Sequence, residues 1–131
     1  MIGVDTNILL RHVLQDDPVQ SASASRFLAT READDPAFVS TGVLLEFIWT
    51  LRSRYRFAQS DVSQVVSSLL QSHDVVVQEA AGVRRALWDA RDENADIADA
   101  IFAHTAIDAG CDGVVTFDRR AQRLPGMLPL D

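Results

Sequence analysis

Short runs rich in β-branched and aromatic residues alternate with longer stretches of helical periodicity along this 131-residue chain. The short runs are Met1–Val4, Ala37–Ser40, Val75–Val77 and Gly113–Thr116, with Met127–Leu130 as a short candidate edge strand. Strands joined through a helix run parallel, because the crossover returns the chain to the edge where it started. The alternation therefore predicts an α/β fold: a three-layer αβα sandwich around a central, mainly parallel sheet. There are no repeats, low-complexity segments or linkers, so residues 1–131 are expected to form a single domain.

The helices are legible from their ends. Asp5-Thr6-Asn7 turns the first strand into a helix reaching about Leu14. Asp17 is placed to cap and Pro18 suits a first helical position, opening a helix with Val19, Ala22, Phe27 and Leu28 that runs to about Glu32. Asp34-Asp35-Pro36 reads as a turn. Ser40 or Thr41 caps a helix that carries Glu46 and ends near Arg54. Ser60-Asp61 is expected to cap the next, with Val62, Val65, Val66, Leu69 and Leu70 at helical spacing. Glu79 to about Asp92 is helical. Asp96 opens a last helix that ends at Gly110 as a C-cap. Trp49 and Trp88 are expected in the core rather than as base-stacking platforms.

Composition excludes several classes. The hydrophobic fraction is 47% and the charged fraction 24%, which suits a soluble globular chain. No apolar run approaches the roughly 20 residues of a membrane span. The N-terminus lacks the basic region and cleavage site of a signal peptide. The single cysteine, Cys111, precludes an intrachain disulfide. Together these point to the cytoplasm. A net charge of −7 argues against nucleic acid as a partner unless several acids hold cations, which invert the local field. All twelve basic residues are Arg. Arg suits bidentate phosphate contacts, although codon bias explains the same choice.

Four carboxylates interrupt or border apolar segments: Asp5 after Ile2-Gly3-Val4, Glu46 within Val43–Trp49, Asp99 before Ala100–Ala103, and Asp118 after Gly113–Phe117. An unpaired carboxylate taken from water is costly, so such groups are usually paired, protonated or metal-bound. With no Lys in the chain and few Arg beside these acids, a divalent cation is the simplest counter-charge. Sites in open parallel sheets form beyond the carboxyl ends of the strands, and all four acids fit that rim. Oxygen-only ligation suits Mg²⁺ or Mn²⁺ rather than Zn²⁺. Thr6, Asn7 and Thr116 supply neutral oxygens that can orient ligands or water. Each acid also has an ordinary reading. Asp5 and Asp96 suit helix caps, Asp99 suits a first turn, and Asp118 suits a plain turn. His12, His73 and His104 are scattered and are read as surface or core.

The ordered pieces Val4-Asp5-Thr6-Asn7, an isolated Glu in an apolar helix, Ala95-Asp96-Ile97-Ala98-Asp99-Ala100 and Val115-Thr116-Phe117-Asp118 resemble those of PIN-domain proteins. The resemblance is specifically to VapC-type toxins of bacterial toxin–antitoxin pairs, and it covers essentially the whole chain. Ile97 stands where that family more often has an aromatic residue. The resemblance implies that Asp5, Glu46, Asp99 and Asp118 are metal-binding catalytic acids, with Asp96 auxiliary. It implies a Mg²⁺- or Mn²⁺-dependent endoribonuclease, a homodimer, an RNA substrate and a cognate antitoxin whose C-terminal segment blocks the site.

Arg52, Arg54 and Arg56, interleaved with Tyr55 and Phe57, suit contact with RNA or with an antitoxin segment, or simply a solvated helix end. Competing classes leave different marks. A receiver-like Mg²⁺-binding signalling module needs a Lys near its last strands, and a phosphatase of the Asp-x-Asp type needs a second acid where Asn7 stands. A non-catalytic PIN-like scaffold has no need of the full acid set.

Overall fold

The computed structural model describes residues 1–130. The chain divides into two compact units, Met1–Gln78 and Glu79–Asp131.

The first unit is built as β1 (Ile2–Gly3), α1 (Thr6–Leu14), α2 (Pro18–Ala29), β2 (Ala37–Val39), α3 (Thr41–Ser53), α4 (Gln59–Gln71) and β3 (Val75–Val77). Its sheet has the order β1-β2-β3 and is parallel throughout, with Ile2 opposite Ala37 and Ala37 opposite Val75. Hydrogen bonds beyond the strands extend the ladder: the Val4 amide donates to the Phe38 carbonyl at 3.0 Å, and the Gln78 amide to the Val39 carbonyl at 2.9 Å. Ala37 and Val39 are fully buried, as central-strand residues should be.

The second unit holds α5 (Ala80–Asp92), α6 (Ile97–Asp108), β4 (Val114–Thr116) and β5 (Met127–Pro129), with a 3₁₀ turn at Ala121–Arg123. β4 and β5 are parallel, Val114 facing Met127. Gly113 enters this pair where no side chain fits: a Cβ there would stand 2.7 Å from the Gly126 carbonyl oxygen. The α/β class and the parallel pairing expected from the alternation are both present. Among the described residues no helix is long and apolar enough to cross a membrane.

The capping chemistry works largely as the sequence foretells. The Asp17 side chain accepts from the Val19 and Gln20 amides, with Pro18 at the first position of α2. Ser40 caps α3 through the Val43 amide at 3.2 Å. Gly110 follows α6 with φ +94°, a conformation that glycine takes without cost.

Several expectations are corrected. α2 stops at Ala29, short of Glu32, and Thr30 closes it. α4 starts at Gln59, earlier than a Ser60-Asp61 cap allows; its N-cap is Ala58, which offers no side-chain acceptor. Asp61 lies instead in the first turn, where an acid favours the helix dipole. The largest correction concerns the tryptophans. Trp49 is 62% exposed and Trp88 68%, so neither is core. On α3 the inward face is Leu44, Phe47, Ile48 and Leu51, all buried. Gly42, Glu46, Trp49 and Ser53 recur at the spacing of one helix face, and all four are exposed.

Candidate functional site

In the first unit, Asp5 follows β1 and is the N-cap of α1, with φ −82° and ψ 161°. Its Oδ1 accepts from the Thr6 amide at 2.7 Å. The residue is exposed, so the local sequence has turned this carboxylate outward although it follows the buried Val4. Its neighbour Thr6 is buried, and the Thr6 hydroxyl is shut from solvent without a hydrogen-bond partner. Asn7 lines a cavity of about 350 Å³ with Ile8, Arg11, Gln20, Ser23, Ala24 and Phe27. Glu46 is exposed on the outer stripe of α3 rather than buried among its apolar sequence neighbours. Among the described residues, its carboxylate has no ion-pair partner.

In the second unit, Asp96 is the N-cap of α6. Its Oδ1 accepts from the Ala98 amide at 2.8 Å and the Asp99 amide at 3.3 Å. Asp99 follows in the first turn, half-buried. Burial pushes the Asp99 carboxyl above the ordinary carboxylate range, and the negative charges of Asp96 and then Asp118 add to that push. Among the described residues no cation is paired with Asp99. Asp118 is exposed in the turn after β4, where its Oδ1 accepts from the Arg120 and Ala121 amides at 2.8 and 3.2 Å. The Thr116 hydroxyl accepts from the Asp118 amide at 3.0 Å, so Thr116 shapes this turn as an orienting residue should.

Arg120 is a positioning residue that sequence reasoning overlooked. Its Nε donates to the Asn94 carbonyl at 2.8 Å and its Nη2 approaches Asn94 Oδ1 at 3.4 Å. Asn94 has φ +50° in the loop that leads into Asp96. One guanidinium thus ties the Asp118 turn to the segment that presents Asp96 and Asp99. Gln122 assists by donating to the Thr116 carbonyl at 3.0 Å. The only sequence trace of this was a basic pair after Asp118, which a turn explains equally well.

The acids therefore fall two and three: Asp5 and Glu46 in the first unit, Asp96, Asp99 and Asp118 in the second. Among the described residues, no three His, Cys, Asp or Glu side chains stand close enough to hold a metal ion. The donor chemistry nonetheless suits a hard cation. Every candidate group is an oxygen, and Asp99 is left in mutual repulsion with two other acids. Among the described residues, the amide bonds of Asp5, Asp96 and Asp118 all fall on Oδ1, which leaves Oδ2 open to a cation.

The PIN domain family model matches residues 2–127. The chain belongs to the PIN-domain family. That match runs from β1 to the start of β5 and includes every acid described above. No curated protein matches the sequence.

Of the basic residues expected at an RNA or antitoxin surface, Arg52, Arg54 and Arg56 are all exposed around the end of α3. Arg52 Nη1 donates to the Phe57 carbonyl at 3.0 Å, which fixes its course. Arg54 is the C-cap, and Arg56 has φ +55°. Tyr55 between them is 40% exposed.

Proposed function

We propose that this PIN domain is a metal-dependent endoribonuclease, the toxin of a toxin–antitoxin pair, acting as one domain over residues 1–131. The observation that carries the reading is Asp99: a half-buried carboxylate with no cation paired to it among the described residues, raised by burial and by two neighbouring acids, in a chain of this family. Holding such a group ionised costs stability unless a cation relieves it.

In this reading Asp5 and Glu46 of the first unit and Asp99 and Asp118 of the second are the acids that would hold Mg²⁺ or Mn²⁺. The chemistry the cation supplies is polarisation of a phosphoryl oxygen and neutralisation of the charge that builds there. Thr6, Asn7 and Thr116 orient the acids and the water around them. Asp96 caps α6 and so sets the direction of Asp99. Arg120 holds the Asp118 turn to the Asp96 loop. Arg52, Arg54 and Arg56 meet RNA phosphate or an antitoxin segment. A homodimer, a cytoplasmic location and an antitoxin that covers the acids complete the proposal.

One observation favours a second reading. The lack of a three-ligand group among the described residues suits a PIN-like module without catalysis. The same experiment separates the two. Purified protein, freed of any antitoxin, is incubated with total cellular RNA with and without EDTA. The nuclease reading expects a narrow cleavage pattern that disappears in EDTA and with Asp5→Ala or Asp99→Ala. Cleavage that persists in EDTA, or no cleavage under any metal, refutes it.

A further inference from the structure

We infer that Trp49 is a base-stacking platform for single-stranded RNA, placed on α3 directly beside Glu46. The inference rests on the nuclease reading for the identity of its occupant. It begins from a misfit: the largest apolar side chain on α3 points to water while Leu44, Phe47, Ile48 and Leu51 fill the inward face. Leaving an indole 62% exposed forgoes most of its burial energy, and the indole is open to a partner on this face.

Its neighbours narrow the occupant. Glu46 lies three residues before Trp49, and side chains at that spacing stand about 5–6 Å apart at Cβ on one helix face. Arg52 lies three residues after it, at the edge of the same face. Arg54, Tyr55 and Arg56 follow at once. The stripe thus reads carboxylate, aromatic, guanidinium over two turns. A flat π-face between a candidate metal ligand and a group of cations matches a nucleotide strand, which offers a stackable base and a phosphate at every step. Arg52 is steadied by the Phe57 carbonyl and keeps further N–H donors for phosphate. Arg52, Arg54 and Arg56 are all exposed, and in a chain of net charge −7 they give this end of α3 local positive charge that complements a polyanion. Trp49 is the one large apolar side chain on this exposed face, and its alignment with Glu46 and Arg52 is what favours RNA over a protein partner.

The chain has two tryptophans, so Trp88→Phe leaves Trp49 as the sole indole reporter. The fluorescence of this variant is titrated with short oligo-U and oligo-A RNA at low salt, with Ca²⁺ as the cation. A gel confirms that the RNA stays intact. Saturable quenching is expected. In the wild-type background, Trp49→Ala should weaken RNA binding about fivefold to a hundredfold, the range for loss of one stacked base, and Trp49→Phe should recover most of it. Quenching without cleavage in Mg²⁺ keeps the platform and removes the nuclease reading. Cleavage without quenching, with Trp49→Ala binding normally, overturns the platform and keeps the nuclease. A blue-shifted emission indifferent to RNA, with Trp49→Ala turning a dimer into a monomer, also overturns it and assigns the face to a second copy of the chain.

Discussion

Asp96 can act through its charge or through its hydrogen bonds, and two substitutions separate these. The Asp96 Oδ1 accepts from two amides at the head of α6, at 2.8 and 3.3 Å. Asp96→Ala removes that acceptor, and loss of an N-cap of this kind costs about 1 kcal/mol within a range of about 0.5–2. The same change removes a negative charge that burdens Asp99, which offsets part of the cost. For a chain of 131 residues, unfolding entropy per residue puts 1 kcal/mol at roughly 3–4 °C of Tm. Asp96→Ala should therefore lower Tm by about 2–4 °C in EDTA at neutral pH. Asp96→Asn keeps an oxygen acceptor and sheds the charge, so its Tm should match or slightly exceed that of the wild type. The two variants should then part in Mn²⁺. Asn keeps the first turn of α6 in place and with it the direction of Asp99, so most of the metal-induced gain in Tm should remain. Ala frays that turn and should lose much of the gain. Thermal melts of the wild type and both variants by circular dichroism, with and without Mn²⁺, measure all six values. Equal losses for Asn and Ala would refute the cap argument and make the charge the working element. An unchanged Asp96→Ala protein would show that the two hydrogen bonds contribute nothing net.

Asp99→Asn should raise Tm in the absence of metal and abolish part of the gain that Mg²⁺ or Mn²⁺ gives the wild type. The sign follows from linkage: the folded state holds the Asp99 proton more tightly than the unfolded chain, whose carboxyl titrates near 3.8, so stability is lost as pH rises through the interval between the two values. Melts across acidic to neutral pH should show the variant's advantage growing as pH rises; a constant or shrinking advantage would contradict the assignment. Arg54→Ala should weaken RNA binding evenly across sequences and reduce the salt slope, by about 0.7 for one single-strand phosphate contact. An unchanged slope in a filter-binding series from low to moderate salt would place that guanidinium away from RNA.

What the sequence disclosed and what it concealed follow from one physical distinction. Features set by a few adjacent residues were legible: Asp17 with Pro18, Ser40 at the head of α3, Asp96 at the head of α6, and the parallel β-branched strands. Features set by which face of an element meets its neighbours were not. Val43-Leu44-Leu45-Glu46-Phe47-Ile48-Trp49 reads as an apolar block, so Glu46 seemed to be a buried charge and Trp49 a core residue. The periodicity beneath it points the other way: Leu44, Phe47, Ile48 and Leu51 already complete an inward stripe, which leaves Glu46 and Trp49 together on the outward one. Arg120 was hidden for a related reason, because its partner Asn94 lies 26 residues away and no local pattern joins them. The same distinction revises why the acids matter. Burial in an apolar segment is true only in part of Asp99, while Asp5, Glu46 and Asp118 are exposed. For those three, being driven from water therefore gives no case for a cation. The remaining case is the repulsion around Asp99 and the spare oxygens that the caps leave open. It is the narrower case, and it makes Asp99, rather than Glu46, the residue on which the metal reading stands or falls.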